Sequence, residues 1–177
     1  MKKRMAFILV ALAIPVIIYA MQEEGWVRQE KSDFWIKPPL NWQRTQIKGT
    51  IYSSQRFSDP QANAFIEFFA RPENSTATLE TIADAWEQES KELLPYLSKR
   101  ISSAPVQLAG GNGLLRQYEG VYYGTKLGSY VLFSFVNSTL NIASGVFVKE
   151  KASVYEVMVK NLLTSARLIA PEAGSKQ

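Results

Sequence analysis

The stretch between Leu114 and Val148 constrains the fold more than any other part of the sequence, because it holds three strand patterns in close succession. Apolar residues dominate each pattern, and glycine or small polar residues separate one pattern from the next. Parallel strands need a crossover of about a dozen residues or more, so strands this close must pair antiparallel. The sequence predicts an antiparallel meander with the following strands and turns: Leu114–Tyr123, Gly124–Gly128, Ser129–Val136, Asn137-Ser138 and Leu140–Val148.

An earlier strand pattern, Asn63–Arg71, carries apolar residues on both of its faces. Alternate side chains of a strand point to opposite sides, so Ile66 and Phe68 face one way while Phe65 and Phe69 face the other. A strand with two apolar faces is typical of the interior of a sheet that is covered on both sides. The sheet therefore needs a layer of other elements on each face.

The first helical pattern that could form such a layer runs from Leu79 to Leu97. Its apolar residues recur at steps of three and four, which is the spacing of an amphipathic helix. Leu93 and Leu94 belong to this apolar stripe, and Pro95 is expected to end or kink the helix.

The second helical pattern begins at Ser153-Val154-Tyr155-Glu156, which has the spacing of a capping box. Its apolar stripe is predicted to contain Val154, Val157, Met158 and Leu162. Helices at separate points of a strand-rich chain predict an α+β fold, in which an antiparallel β-sheet is flanked by helices as an αβα sandwich.

The N-terminus has the layout of an export signal, because residues 2–4 are basic and residues 5–22 are uncharged. Ala20 offers a cleavage point, and we favour a cleaved signal peptide; an uncleaved anchor, associated with the membrane through residues 5–22, is the alternative. Both place the rest of the chain outside the cytoplasm, in the periplasm or cell envelope, because the basic flank stays inside. The predicted divisions are a signal or anchor at 1–22, a spacer at 23–32, the folded domain at 33–169 and a disordered tail at 170–177.

The composition excludes several classes of chemistry, because the chain has no cysteine and no histidine. Disulfides, thiolate nucleophiles, Ser-His-Asp triads and histidine-bound metals are therefore absent, and we predict no metal and no cofactor. Lys and Arg number 20 against 16 Asp and Glu, but residues 2–4 supply three of those positive charges. The remaining chain is almost neutral, so we expect no nucleic-acid partner.

Paired carboxylates are the acid–base groups that remain. Glu67 and Glu119 lie in strand patterns, and Asp59 lies in a turn pattern. Two of them facing each other across a cleft could hydrolyse a polymer of the envelope. Solvated surface carboxylates are the simpler interpretation of all three residues.

The segment Phe34–Trp42 (FWIKPPLNW) resembles the opening strand of PsbP-like and DcrB-like domains, with its aromatic residues followed by proline and then tryptophan. The C-terminal segment Leu163–Leu168 resembles the closing helix and short strand of the same superfamily. This resemblance implies an antiparallel sheet sandwiched between helices. It also implies mostly non-enzymatic roles, as extrinsic subunits of membrane complexes, envelope proteins or chaperone-like binders.

Adjacent tyrosines at 122 and 123 should face opposite ways in a strand, so they cannot both enter the same core. Exposed aromatic residues can mark a binding face, and we take Trp42, Tyr122 and Tyr123 as candidate binding residues. We predict no catalytic residues. The sequence thus favours an exported, non-catalytic binding or accessory module that contacts an envelope protein or a lipid-like ligand. The alternative is an envelope-polymer hydrolase that uses Glu67 and Glu119.

Overall fold

The computed structural model describes residues 25–29, 34–47 and 54–168. The predicted leader at 1–22, part of the spacer and the predicted tail lie outside these residues. The α-helices are α1 (Leu79–Ser90) and α2 (Ala152–Thr164), and single 3-10 turns occupy Pro95–Leu97 and Lys149–Lys151. The strands are β1 (Val27–Arg28), β2 (Trp35–Ile36), β3 (Gln43–Ile47), β4 (Ser54–Ser58), β5 (Ala64–Pro72), β6 (Lys99–Leu108), β7 (Gly111–Tyr122), β8 (Thr125–Val136) and β9 (Thr139–Val148).

Seven of these strands form one antiparallel sheet in the order β3-β4-β5-β9-β8-β7-β6, and β1 pairs separately with β2. Strands β7, β8 and β9 are neighbours joined by two-residue turns, which confirms the predicted meander. Strand β5 lies inside the sheet between β4 and β9. Its two apolar faces therefore both contribute to a core, as the sequence predicted.

The two helices cover opposite faces of this sheet. The core on the α2 side contains, among others, Ile66, Phe68, Leu132, Val159 and Leu163. The core on the α1 side contains, among others, Ile82, Trp86, Val131, Phe133 and Ile142. The predicted αβα sandwich is confirmed. Neither helix combines the length and the apolar content that crossing a bilayer requires, within the residues that the structure describes.

Helix α1 ends at Ser90, five residues before Pro95, where the sequence predicted an end or a kink. The residue before a proline disfavours helical geometry, and Pro95 starts a separate 3-10 turn. This turn buries Tyr96 and Leu97 against the sheet. Leu93, predicted to lie in the buried stripe, is instead 79% exposed.

Helix α2 also differs from the prediction at its start, where no side chain caps the first turn. Glu156 accepts hydrogen bonds from the Tyr130 hydroxyl at 3.1 Å and the Gln117 amide at 3.2 Å, so its carboxylate binds the sheet and forms no capping box. Burial, together with Glu156, raises the pKa of Tyr130 to about 12. The buried stripe consists of Tyr155, Val159, Leu162 and Leu163, whereas Val154 and Val157 are exposed.

Helix α1 is joined to the sheet by Arg116 of β7, whose side chain is 2% exposed. Its guanidinium lies 2.8 Å from the carboxylate of Asp84 and 3.1 Å from that of Glu87, and it donates to the Glu80 carbonyl at 3.3 Å. Arg100, which is 41% exposed, reaches the same two carboxylates at 2.7 and 3.3 Å. The hydrogen bond from Arg100 is the main factor that lowers the pKa of Asp84, and Arg116 adds to it.

Candidate functional site

The turn between β7 and β8 contains only Tyr123 and Gly124, because Tyr122 already pairs with Thr125. Both turn residues have positive φ, 46° and 81°, as in a type I′ turn. The predicted turn at Gly124–Gly128 was therefore too long. Glycine or asparagine is the usual choice at such positions, and a bulky aromatic residue there is uncommon.

This turn brings Tyr122 and Tyr123 together, with ring centroids 4.5 Å apart and planes inclined at 64°. The prediction that they face opposite sides is wrong, because Tyr123 has left the strand. We call Val121–Tyr123 the hairpin tip; these residues are 56%, 52% and 91% exposed in chain order. The hairpin thus ends in three consecutive large side chains that are each more than half exposed.

A concave surface of about 250 Å³, which we call the apolar groove, lies beside the hairpin tip on the α1 side of the sheet. Its walls come from β4, β5, β7, β8 and the segment that follows α1. Its lining residues are Arg56, Phe65, Glu67, Leu93, Leu94, Pro95, Tyr96, Tyr122 and Leu127. The exposed Leu93 is thus a wall residue of this groove.

The polar groups in the apolar groove are bonded to one another. The buried carboxylate of Glu67 accepts hydrogen bonds from Arg56 Nη2 at 2.6 Å and from the Tyr96 hydroxyl at 2.9 Å. Burial is the main factor that raises the pKa of Tyr96 well above its ordinary value, and Glu67 adds to it. Arg56 also lies over the Phe65 ring, 4.4 Å from its centroid. An apolar ligand would therefore meet a floor whose carboxylate is already neutralised.

A second cavity of about 380 Å³, which we call the basic pocket, lies at the same end of the sheet, and Leu127 lines both cavities. Lys99, Lys126 and Lys149 line it together with Glu119, so three positive charges face one negative charge. Lys149 forms an ion pair with Glu119. This pair is the main factor that lowers the pKa of Glu119, and the other two lysines contribute. The pocket therefore has the charge balance that attracts an anion.

No protein-family model matches this chain, and no curated protein matches it. Among solved structures, the solution structure of cyanobacterial PsbP (CyanoP) from Synechocystis sp. PCC 6803 matches with a TM-score of 0.65. The match covers 81% of this chain and 91% of that chain, at 11% sequence identity. This chain has a PsbP-like fold. The resemblance inferred from Phe34–Trp42 and Leu163–Leu168 is confirmed at the level of the fold.

Two other solved structures cover much of this chain at lower similarity. The Pseudomonas aeruginosa protein PA94, of unknown function and described as a putative regulator, matches at a TM-score of 0.49 and 11% identity, over 84% of this chain and 97% of that chain. LpqN, described as involved in cell envelope biogenesis of Mycobacterium tuberculosis, matches at a TM-score of 0.42 and 10% identity. This match covers 78% of this chain and 83% of that chain. Sequence identities of 10–11% do not identify site residues, so the site is derived from the residues of this chain.

Within the PsbP-like fold, Trp42 belongs to the core and not to the candidate site. It is 8% exposed and lies in the α2-side core with Phe34, Ile36 and Phe57. The proline pair turns the chain back, and the backbone N–H of Trp42 donates to the Pro39 carbonyl at 3.0 Å. The predicted binding residue is thus a packing residue, because the aromatic-proline-tryptophan motif folds onto the sheet.

The carboxylates considered for hydrolysis do not face each other. Glu67 makes its hydrogen bonds on the α1 side, whereas Glu119 is four residues from Leu115 of the α2-side core and so shares that face. Asp59 accepts hydrogen bonds from two backbone N–H groups of its own turn, at 3.1 and 3.4 Å. Among the described residues, no three acidic side chains form a group that could hold a metal ion.

The residues that sequence reasoning missed are the lysines of the basic pocket and the groove residue Leu93. Lys99 of β6 pairs with Glu119 of β7, and Lys126 of β8 pairs with Val121 of β7. This register brings Lys99 and Lys126 together across the three strands. Counting residues from the turn could have placed Lys126 at this end of the hairpin, because it lies two residues beyond Gly124. No local pattern links Lys99 or Lys149 to it, since both are far away in the sequence.

Proposed function

We propose that this chain is an exported, non-catalytic accessory domain of the cell envelope, and that it binds a lipid-like ligand at the end of the sheet where the hairpin tip lies. The observation that carries the proposal is that the two cavities lie at the same end of the sheet and have a lining residue in common. An apolar groove and a basic pocket share one wall residue, Leu127. A molecule with an apolar chain and an anionic head would place each part in a matching environment.

The linings of the two cavities support a small amphiphilic ligand. Ligand sites combine apolar walls with a few polar groups that fix the ligand's orientation. The groove has leucine, proline and aromatic walls, and the basic pocket has three lysines. A site for a polar sugar polymer would instead expose hydrogen-bonding side chains along the groove.

The setting outside the cytoplasm is part of the proposal and depends on the predicted leader at 1–22. We favour a cleaved signal peptide, with membrane association through residues 5–22 as the alternative. Mass spectrometry of the native product distinguishes the two, because cleavage after Ala20 gives a product that starts at Met21. A full-length product recovered from the cytosol would contradict export altogether.

Ligand binding is tested by calorimetric titration of the purified chain with dodecyl phosphate below its micelle concentration. We expect saturable binding, and weaker binding of dodecyl maltoside, whose head is uncharged. Replacing the exposed groove residue Leu93 with serine should weaken dodecyl phosphate binding about fivefold, since partial burial of a leucine is worth about 1 kcal/mol. Leu93 is already exposed, so the variant should fold normally.

The matched control is Leu40→Ser, because Leu40 is also an exposed leucine but does not line either cavity. This variant should bind dodecyl phosphate like the wild type. Equal weakening in the two variants, or no binding by the wild-type chain, would contradict a lipid-like ligand. The second result would favour the other partner class that the sequence indicated, an envelope protein.

A further inference from the structure

We propose that the hairpin tip docks on the surface of an anionic lipid bilayer, with Tyr123 among the headgroups and the lysines of the basic pocket against the lipid phosphates. This inference rests on the proposed function for its setting. It extends that function by naming the surface from which the ligand would enter the apolar groove. The partner is a membrane and not a soluble anion, because an exposed aromatic tip lies beside the lysines.

The first reason is the exposure and the chemistry of the hairpin tip. Tyr123 is the outermost residue of a two-residue turn, and Val121 and Tyr122 beside it are more than half exposed. Tyrosine is enriched where membrane meets water, because its ring is apolar and its hydroxyl is polar. A positive φ of 46° holds Tyr123 in a conformation that asparagine or glycine would adopt at less cost. An aromatic ring at this position that is 91% exposed, with the Tyr122 ring packed beside it, points to an outside contact.

The second reason is the charge next to the hairpin tip. Lys126 pairs across the hairpin with Val121, and Lys99 pairs with Glu119 on the adjoining strand. Lys149 already forms an ion pair with Glu119. In the described residues, Lys99 and Lys126 have no carboxylate within ion-pair distance. Two unneutralised ammonium groups beside an apolar tip complement an anionic membrane surface.

The opposite end of the same hairpin system provides an internal comparison. The turn between β8 and β9 has the same length and also has positive φ at both positions, 48° and 57°, but its residues are Asn137 and Ser138. Strand β8 separates the two turns by roughly 35 Å at the usual rise per residue. Only the Tyr123 end combines exposed aromatic rings with a lysine pocket, so only this end should approach lipid.

The experiment uses the absence of cysteine from the chain, which allows one fluorophore to be attached at one introduced cysteine. Thr125→Cys and Thr139→Cys are matched, because each threonine directly follows a two-residue turn. The environment-sensitive label is read on phosphatidylcholine vesicles with and without phosphatidylglycerol. The readout is label emission and not total vesicle binding. If residues 1–22 are retained and bind the membrane, all variants would bind vesicles to the same extent.

We expect a blue shift of the label at position 125 on vesicles that contain phosphatidylglycerol, and none at position 139. In the Thr125→Cys background, Lys99→Gln with Lys126→Gln should raise the lipid concentration for half-maximal shift about 25-fold, since each lysine contributes about fivefold. Tyr123→Ser should raise it about fivefold. The control pair Lys37→Gln with Lys160→Gln removes the same charge elsewhere and should leave it unchanged.

Equal shifts at positions 125 and 139, or no dependence on phosphatidylglycerol, would overturn the docking proposal. Equal effects of the two lysine pairs would also overturn it, because they would indicate non-specific attraction. The dodecyl phosphate titration keeps the two proposals distinguishable. Binding of dodecyl phosphate without docking would remove this inference alone, whereas docking without dodecyl phosphate binding would remove the lipid-like ligand of the groove.

Discussion

Replacing Gly120 with alanine should lower the free energy of unfolding by about 3 kcal/mol, because overpacking against fixed backbone costs this much. A Cβ atom at Gly120 would overlap the carbonyl oxygen of Pro95 and lie 2.8 Å from Cα of Tyr96. Both neighbours are backbone atoms of the 3-10 turn, so no side chain can rotate away. The turn would have to leave the sheet and expose the side chains that it buries.

The measurement is chemical or thermal unfolding, in which the melting temperature should fall by about 6–12 °C for a domain of this size. Gly124→Ala is the control, because it adds the same methyl group at a turn position with nothing within 4 Å. The positive φ of Gly124 makes that change cost about 1 kcal/mol. Equal destabilisation in the two variants would show that the packing of Gly120 against Pro95 is not important.

Gly120 also links stability to the candidate site. Pro95 and Tyr96, which rest against Gly120, are wall residues of the apolar groove. A displaced 3-10 turn would therefore change the groove before the whole domain unfolds. Gly120→Ala should weaken dodecyl phosphate binding even at temperatures where the variant remains folded.

The sheet was predictable because its signals are local. Short spacing between strands settles their direction, and the two apolar faces of β5 require a cover on each side. The ends of the helices were less predictable, since they depend on tertiary partners. Leu93 continues the apolar spacing of α1, but Pro95 starts a new element. Glu156 has the spacing of a capping residue, but the hydroxyl of Tyr130 on the sheet hydrogen-bonds to it.

The candidate site was predictable only in part, because it depends on register. Tyr122 and Tyr123 were recognised as residues that could not both enter one core, and the structure exposes both. Their contact depends on the two-residue turn of Tyr123 and Gly124. The sequence predicted a longer turn, because a second glycine lies at Gly128. Trp42 was selected for its aromatic character. The sequence pattern around it does not distinguish a tryptophan that is buried against the sheet from one that is exposed at the surface.

Replacing Arg116 with alanine should lower the free energy of unfolding by about 3 kcal/mol, since a buried guanidinium and its hydrogen bonds to charged groups are lost together. The side chain contacts Asp84 and Glu87 and donates to the Glu80 carbonyl, all on α1. It also packs over the Phe133 ring, 5.7 Å from the centroid. Loss of this side chain removes the most buried of the polar links between α1 and the sheet that are described above, and it leaves a cavity beside the α1-side core.

Arg100→Ala is the control that separates burial from ion pairing, because Arg100 reaches the same carboxylates of Asp84 and Glu87 from a largely exposed position. Solvent screens an exposed pair, so this variant should lose only about 0.5 kcal/mol. Added salt should weaken the contribution of Arg100 and change that of Arg116 little, since buried charges are screened less. Equal losses in urea unfolding of the two variants would mean that the carboxylates and not the buried guanidinium hold α1 on the sheet. The unequal losses that we expect would instead assign that role to Arg116, whose fork of donors reaches side chains and backbone of α1 at once.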